Sequence, residues 1–272
     1  MRLTDDRYAW LLDVRANRPD RIADAAARRA RRPPARGPGR TLLLSATQPA
    51  RGDLAAGADL TALGHRRSLL DRLVLALHHS AVSGVVASPD VLDDLLLLGV
   101  LDGKLAFATG RFGPADLPGL VAAGVDGVLL RVGAGDAELD RCSALVSGLA
   151  AAGVVALVEP VAAETELLPA TTRAAGLGTT SAYTWLAVPP VAYVERLVAA
   201  TTLPVLLEVA DSGAYGHLPW FRALRAPGVR GVLAGRQVLY PAGEEWPQDV
   251  YAAVDQVAML LATAGEVEEV PA

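Results

Sequence analysis

Two apolar runs, Gly127-Val128-Leu129-Leu130-Arg131-Val132 and Val154-Val155-Ala156-Leu157-Val158-Glu159, flank residues 137–152, where apolar side chains recur at helical spacing. A strand, a helix and a second strand within about 30 residues is the signature of a βαβ unit. Neither strand alternates polar with apolar residues. Both faces are therefore covered, as in a parallel sheet.

Working outward, the same unit recurs along the chain. Strand-like runs at 41–46, 84–88, 104–109, 127–132, 154–159, 183–188, 204–209 and 230–235 each precede an amphipathic stretch. Those stretches lie at 66–79, 90–99, 115–123, 137–152, 164–175, 190–200, 217–226 and 248–263. Eight such units predict closure into a single (β/α)8 TIM barrel of the α/β class. An open doubly wound sheet would want a glycine-rich turn after its first strand, and Thr47-Gln48-Pro49-Ala50-Arg51-Gly52 is not one. Gly176-Leu177-Gly178-Thr179-Thr180-Ser181 precedes a strand and reads as a connection.

Residues 1–40 read as an extra N-terminal helix at 19–32, with Asn17 or Asp20 near its cap, followed by a basic linker. Residues 41–264 form the barrel, and 265–272 a frayed tail. Arg28, Arg29, Arg31, Arg32, Arg36 and Arg40 cluster among Pro33, Pro34 and Pro38, which reads as a solvated link.

With 272 residues, 52% of them hydrophobic, the chain suits one barrel of about 250 residues. Cys142 is the single cysteine, so no internal disulfide forms, and its helical stretch favours a buried thiol. The longest apolar runs, such as 95–101, fall short of the ~18 residues of a membrane span, and residues 1–7 carry no apolar leader. A cytoplasmic protein is expected, with no membrane partner. The net charge of −5 argues against nucleic acid.

In such a barrel the site lies at the C-terminal ends of the strands. Those ends supply Thr47 and Gln48, Ser88 and Asp90, Thr109 and Arg111, Arg131, Glu159, and Trp185 with Ala187. The last two strands supply Glu208, Asp211, Ser212 and His217, then Gly235 and Arg236. Glu159 and Glu208 are carboxylates among apolar residues, suited either to acid–base work or to ion pairs with Arg131 or Arg111. Arg236 follows the eighth strand, where phosphate is often held, with Gly235 and Ser212 beside it; a pairing to a nearby carboxylate is the alternative. Glu159, Glu208, Asp211 and His217 could suit a divalent ion, but no tight ligand motif supports one, so neither metal nor cofactor is expected.

One count matters most. Of 25 basic residues, 24 are arginine, and the single lysine, Lys104, opens the third strand at the face opposite the mouth. An imine-forming lysine must be desolvated inside the mouth.

Several stretches together resemble an aldolase-type barrel family of actinobacteria, the deoxyribose-phosphate-aldolase-like (Cgl0159-like) family. They are Pro49-Ala50-Arg51-Gly52, residues 68–77, residues 88–99, Leu101-Asp102-Gly103-Lys104, Val158-Glu159-Pro160, residues 176–186, residues 199–204, and Gly235-Arg236 with Leu239-Tyr240-Pro241. The resemblance runs from about residue 15 to 262. It implies aldolase-type carbonyl chemistry, with a lysine after Tyr183-Thr184-Trp185-Leu186, where this chain has Ala187. It implies an Asp-His pair where Thr47 and Gln48 stand, and a glycine-rich end to the seventh strand where Glu208-Val209-Ala210-Asp211 stands. The segment after the third strand, Thr109–Pro114, is also shortened.

The expected function is acid–base carbonyl chemistry of lyase or isomerase type, without a Schiff base, on a small sugar, polyol or sugar-phosphate-like compound. Glu159, Glu208, Arg131 and Asp211 would be catalytic. Thr47, Gln48, Asp90, Arg111, Trp185, Ser212, His217, Gly235 and Arg236 would bind substrate. A catalytically silent relative that binds ligand or regulates an active homologue is the alternative, and self-association is left open.

Overall fold

The computed structural model describes residues 2–33, 40–209, 218–241 and 248–265. Helices α1 (Asp5–Asn17) and α2 (Asp20–Arg28) come first. The repeating units begin with β1 (Thr41–Ala46), α3 (Arg66–Leu77), β2 (Gly84–Ala87), α4 (Pro89–Leu98), β3 (Leu105–Thr109) and α5 (Leu117–Ala122). They continue with β4 (Gly127–Val132), α6 (Asp136–Ala151), β5 (Val155–Pro160), α7 (Leu167–Ala175), β6 (Thr184–Val188) and α8 (Val194–Ala199). The last are β7 (Val205–Glu208), α9 (Leu218–Leu224), β8 (Val229–Ala234), α10 (Arg236–Leu239) and α11 (Gln248–Gly265). Neighbouring strands pair in parallel from β1 to β8, and β8 closes against β1. This is the (β/α)8 barrel, with each expected strand in place to within one residue at either end.

The N-terminus differs from expectation, with two helices instead of one. Thr4 caps α1 by accepting from the Arg7 amide at 3.2 Å, and Asp5 and Asp6 suit the positive end of the helix. Of its residues only Leu11 and Val14 are buried, a stripe too narrow to read as a period. Docking comes from charge as well: Arg15 reaches Asp94 on α4 at 2.8 Å.

The basic linker is not simply solvated. Arg29 is buried and donates to Asp126 at 2.9 Å and to the carbonyls of Lys104 and Gly124. Arg31 donates to the other oxygen of Asp126 at 3.0 Å. The Ala106 amide also bonds Asp126, at 2.9 Å. Arginine forks satisfy the carbonyls and the buried carboxylate at the starts of β3 and β4, so the segment covers the bottom of the barrel there. Pro34, Arg36 and Pro38 lie outside the described residues.

Side chains alternate across each strand. Leu43, Val86, Phe107, Leu129, Leu157, Trp185, Leu206 and Leu233 form the packed interior, separate from the core between sheet and helices. Gly127 leaves room for the Phe107 ring, which a Cβ there would meet at 2.2 Å. At the β8–β1 seam a Cβ on Gly231 would lie 1.8 Å from the Thr41 carbonyl oxygen. That atom is backbone and paired in register with Gly231, so it cannot yield without opening the seam. Gly231→Ala is expected to cost at least about 2 kcal/mol in thermal or denaturant unfolding. Gly119→Ala, where a Cβ meets nothing within 4 Å, serves as the control. Equal melting of the two variants would refute the packing argument.

Candidate active site at the barrel mouth

Two residues beyond the interior layer, the strands present Ser45, Thr109, Arg131, Glu159, Ala187, Glu208 and Gly235 at the C-terminal end. Register sets Arg131 of β4 beside Glu159 of β5. The Arg131 Nε donates to Glu159 Oε1 at 2.8 Å. A second guanidinium converges on the same oxygen, with Arg51 Nη1 at 3.9 Å. Arg51 ends a single 3-10 turn, Pro49–Arg51, closed by Gly52 in the left-handed region (φ 76°). It also donates to Thr47 Oγ1, which lies 3.1 Å from Ser45 Oγ. Glu159 is therefore an anion held between two arginines, as the ion-pair alternative anticipated.

A cavity of about 260 Å³ opens beside this pair, between the ends of β1, β7 and β8. Ser45, Gln48, Arg51, Asp53, Pro190, Glu208, Val209, Leu233, Gly235 and Arg236 line it. Arg236 Nη1 donates to the Ala55 carbonyl at 2.6 Å and to Asp53 at 3.3 Å, and Nη2 donates to the same carboxylate. Both Nη atoms of its fork are thus engaged by protein, while the side chain remains on the cavity lining.

Of the expected site residues, Gln48, Glu208, Gly235 and Arg236 line the cavity, and Arg131 and Glu159 adjoin it through Arg51. Thr47 sits behind Arg51, nearly fully buried. Three expected residues stand apart from the cavity lining. Asp90 falls in the first turn of α4 because Pro89 starts that helix, and it pairs outward with Arg66. Trp185 belongs to the packed interior, its ring centroid 6.4 Å from that of Phe107. Arg111 is exposed in the loop after β3, without a partner among the described residues and away from the cavity lining. Asp211, Ser212 and His217 lie outside the described residues.

Sequence reasoning passed over Arg51 and Asp53. Arg51 stands in Pro49-Ala50-Arg51-Gly52 and Asp53 directly follows it, but nothing local shows that Arg51 meets Glu159 or that Asp53 meets Arg236. Among the described residues no group of three or more His, Cys, Asp or Glu side chains is placed to hold a metal, and no helix is long and apolar enough to cross a membrane.

Lys104 is at the other end of the molecule. Its Nζ donates to the carbonyls of His79 at 3.0 Å and Val82 at 2.6 Å, both ahead of β2. Burial, and secondarily Arg32, lower its pKa from the usual lysine value. Ala187, inward on β6, is fully buried and offers no amine.

The sequence matches the family described as Cgl0159-like over residues 39–258. The chain belongs to the Cgl0159-like family. Cgl0159 from Corynebacterium glutamicum (Brevibacterium flavum), known from a crystal structure, is 32% identical and superposes with a TM-score of 0.83, covering 96% of this chain and 98% of that one. Orotidine 5'-monophosphate decarboxylase from Methanocaldococcus jannaschii, solved with the inhibitor BMP, shares the barrel fold at 10% identity and a TM-score of 0.54, over 83% of this chain and 99% of that one. None of the curated proteins compared with it matches. As a Cgl0159-like barrel, the chain keeps its mouth polar on β1, β7 and β8 while its one lysine stays at the base.

Proposed function

We propose that this Cgl0159-like barrel is an enzyme that moves protons on a small sugar or polyol carbonyl compound, in lyase or isomerase fashion, without a covalent imine. The observation that carries this reading is the presence of Glu208 and Arg51 on the lining of one polar cavity. Glu208 takes the proton from the carbon next to the substrate carbonyl. The C–H electron pair forms the carbon–carbon double bond of an enediol, and the carbonyl oxygen becomes an oxyanion. Arg51, on the cavity lining, holds that charge, with Arg131 beside it across Glu159. Return of that proton to the former carbonyl carbon, with the hydroxyl proton of the neighbouring carbon passing to the first oxyanion, gives the isomer with its carbonyl one carbon along. For cleavage, Glu208 instead takes the proton of a β-hydroxyl, the C–C bond breaks, and its electrons enter the same enediolate. Glu159 is a positioning residue here, since its carboxylate aligns both guanidiniums.

Turnover of a panel of C3–C6 aldoses and ketoses by the wild type and by Glu208→Gln tests the proposal. Loss of turnover in the variant supports it, and wild-type rates in the variant refute it.

The mouth also favours a second reading. Arg236 with Asp53, and Glu159 with Arg131, are paired within the protein, as in a pocket built to bind rather than react. A ligand-binding or regulatory relative would show turnover only when mixed with a lysine-bearing homologue and would co-purify with it.

A further inference from the structure

Ser45 and Thr47 share one hydrogen bond at the end of β1, and its direction decides what Ser45 offers the cavity. Their hydroxyl oxygens lie 3.1 Å apart. Arg51 Nη2 also donates to Thr47 Oγ1. A guanidinium carries donors and no acceptor, so the Thr47 proton cannot go back to it. Thr47 is 1% exposed, and among the described residues its hydroxyl meets no group besides Ser45 and Arg51. A buried hydroxyl without an acceptor is costly, so Thr47 donates to Ser45 Oγ. Ser45 is then the acceptor of the pair, and its own proton has no partner among the described residues.

Position turns that proton to the cavity. Ser45 stands two residues beyond Leu43 of the packed interior, so its side chain points inward, and it lines the mouth cavity together with Arg51. Gly235, across the β8–β1 seam, keeps the space beside it open, since a Cβ there would stand 3.7 Å from Ser45 Cβ. Of the other charges on the lining, Arg236 is engaged by Asp53 and the Ala55 carbonyl, and Glu208 becomes neutral as it takes a proton. We propose that Ser45 is a catalytic residue of this mouth: its O–H and Arg51 together donate to the oxyanion formed on the substrate when Glu208 removes that proton. Thr47 is a positioning residue, because it accepts from Arg51 and donates to Ser45. The arginine's charge polarises both hydroxyls in turn and strengthens Ser45 as a donor. The assignment rests on the proton-transfer reading of the cavity and adds to it a second oxyanion donor.

Neutron diffraction from deuterium-exchanged crystals of the full chain reads the direction without substrate or substitution. The Thr47 deuteron should lie toward Ser45 Oγ and the Ser45 deuteron toward the cavity. A Ser45 deuteron lying toward Thr47 Oγ1 would overturn the inference. The role is read by calorimetric titration with glycolohydroxamate, a small mimic of an enediolate. The wild type should bind it saturably, and Ser45→Ala should weaken it by about tenfold. Thr47→Val should weaken it as well, while Thr47→Ser, which restores the hydroxyl, should recover wild-type affinity; a space-filling role for Thr47 would give no such rescue. Melting curves check that each variant is folded. No saturable binding to the wild type, unchanged affinity in Ser45→Ala, or equal affinities of Thr47→Val and Thr47→Ser would also overturn it. Neither readout follows turnover. The inference can therefore fail while Glu208→Gln still loses activity, and wild-type rates in Glu208→Gln would sink the proton-transfer reading while the hydroxyls keep their order.

Discussion

Asp126→Ala should destabilise the fold by about 3–5 kcal/mol, the range for breaking a buried ion pair from one side. Asp126 is about 2% exposed, and the Arg29 side chain that meets it about 3%. Removing the carboxylate leaves the Arg29 guanidinium buried against the Lys104 and Gly124 carbonyls with no counter-charge, and strips the Ala106 amide of its acceptor. Arg31 loses this carboxylate too, but it keeps the Val125 carbonyl and half of its side chain is in water, so its share is small. In a chain of this size such a loss should lower the melting temperature by roughly 10 °C. Asp126→Asn, which keeps the shape and one acceptor, should fall between variant and wild type. An Asp126→Ala melting curve that overlays the wild type would show that the N-terminal arginines do not close the barrel base.

The second large effect is on rate. Glu208→Gln keeps size and polarity but removes the proton acceptor, and kcat should drop by about 10²–10⁴-fold with KM little changed. Stability should hold, because β7 is anchored by its backbone: the Glu208 carbonyl accepts from Trp220 Nε1 at 3.1 Å whatever the side chain. An unfolded variant would be distinguished by its melting curve, and wild-type kcat would remove Glu208 from the mechanism.

The barrel was legible because its determinants are local. Buried parallel strands such as Leu42-Leu43-Leu44 and Val155-Ala156-Leu157-Val158 are continuous apolar runs, and the amphipathic stretches between them set the period. Glu159 and Arg131 could be paired in advance because adjacent strand ends stand side by side in any such barrel. What escaped was pairing across long separations. Arg29 meets Asp126 across 97 positions, and Arg236 meets Asp53 across 183, so neither contact leaves a trace in a local pattern. Hence the basic linker read as solvated, and no particular carboxylate could be named as the partner of Arg236. Helix α1 escaped for another reason, being held by a cap and by Arg15 more than by an apolar stripe. Asp90 shows the limit of counting to strand ends, because one proline turned the chain into α4 and carried the carboxylate outward.

The central claim is that the mouth does carbonyl chemistry without a covalent bond to nitrogen, and reductive trapping tests it most directly. The protein would be treated with sodium borohydride together with each turned-over aldose or ketose, then weighed intact by mass spectrometry and mapped by peptide. The predicted result is an unchanged mass and undiminished activity after the reagent is removed. A single adduct on Lys104, with activity lost in proportion, would contradict it.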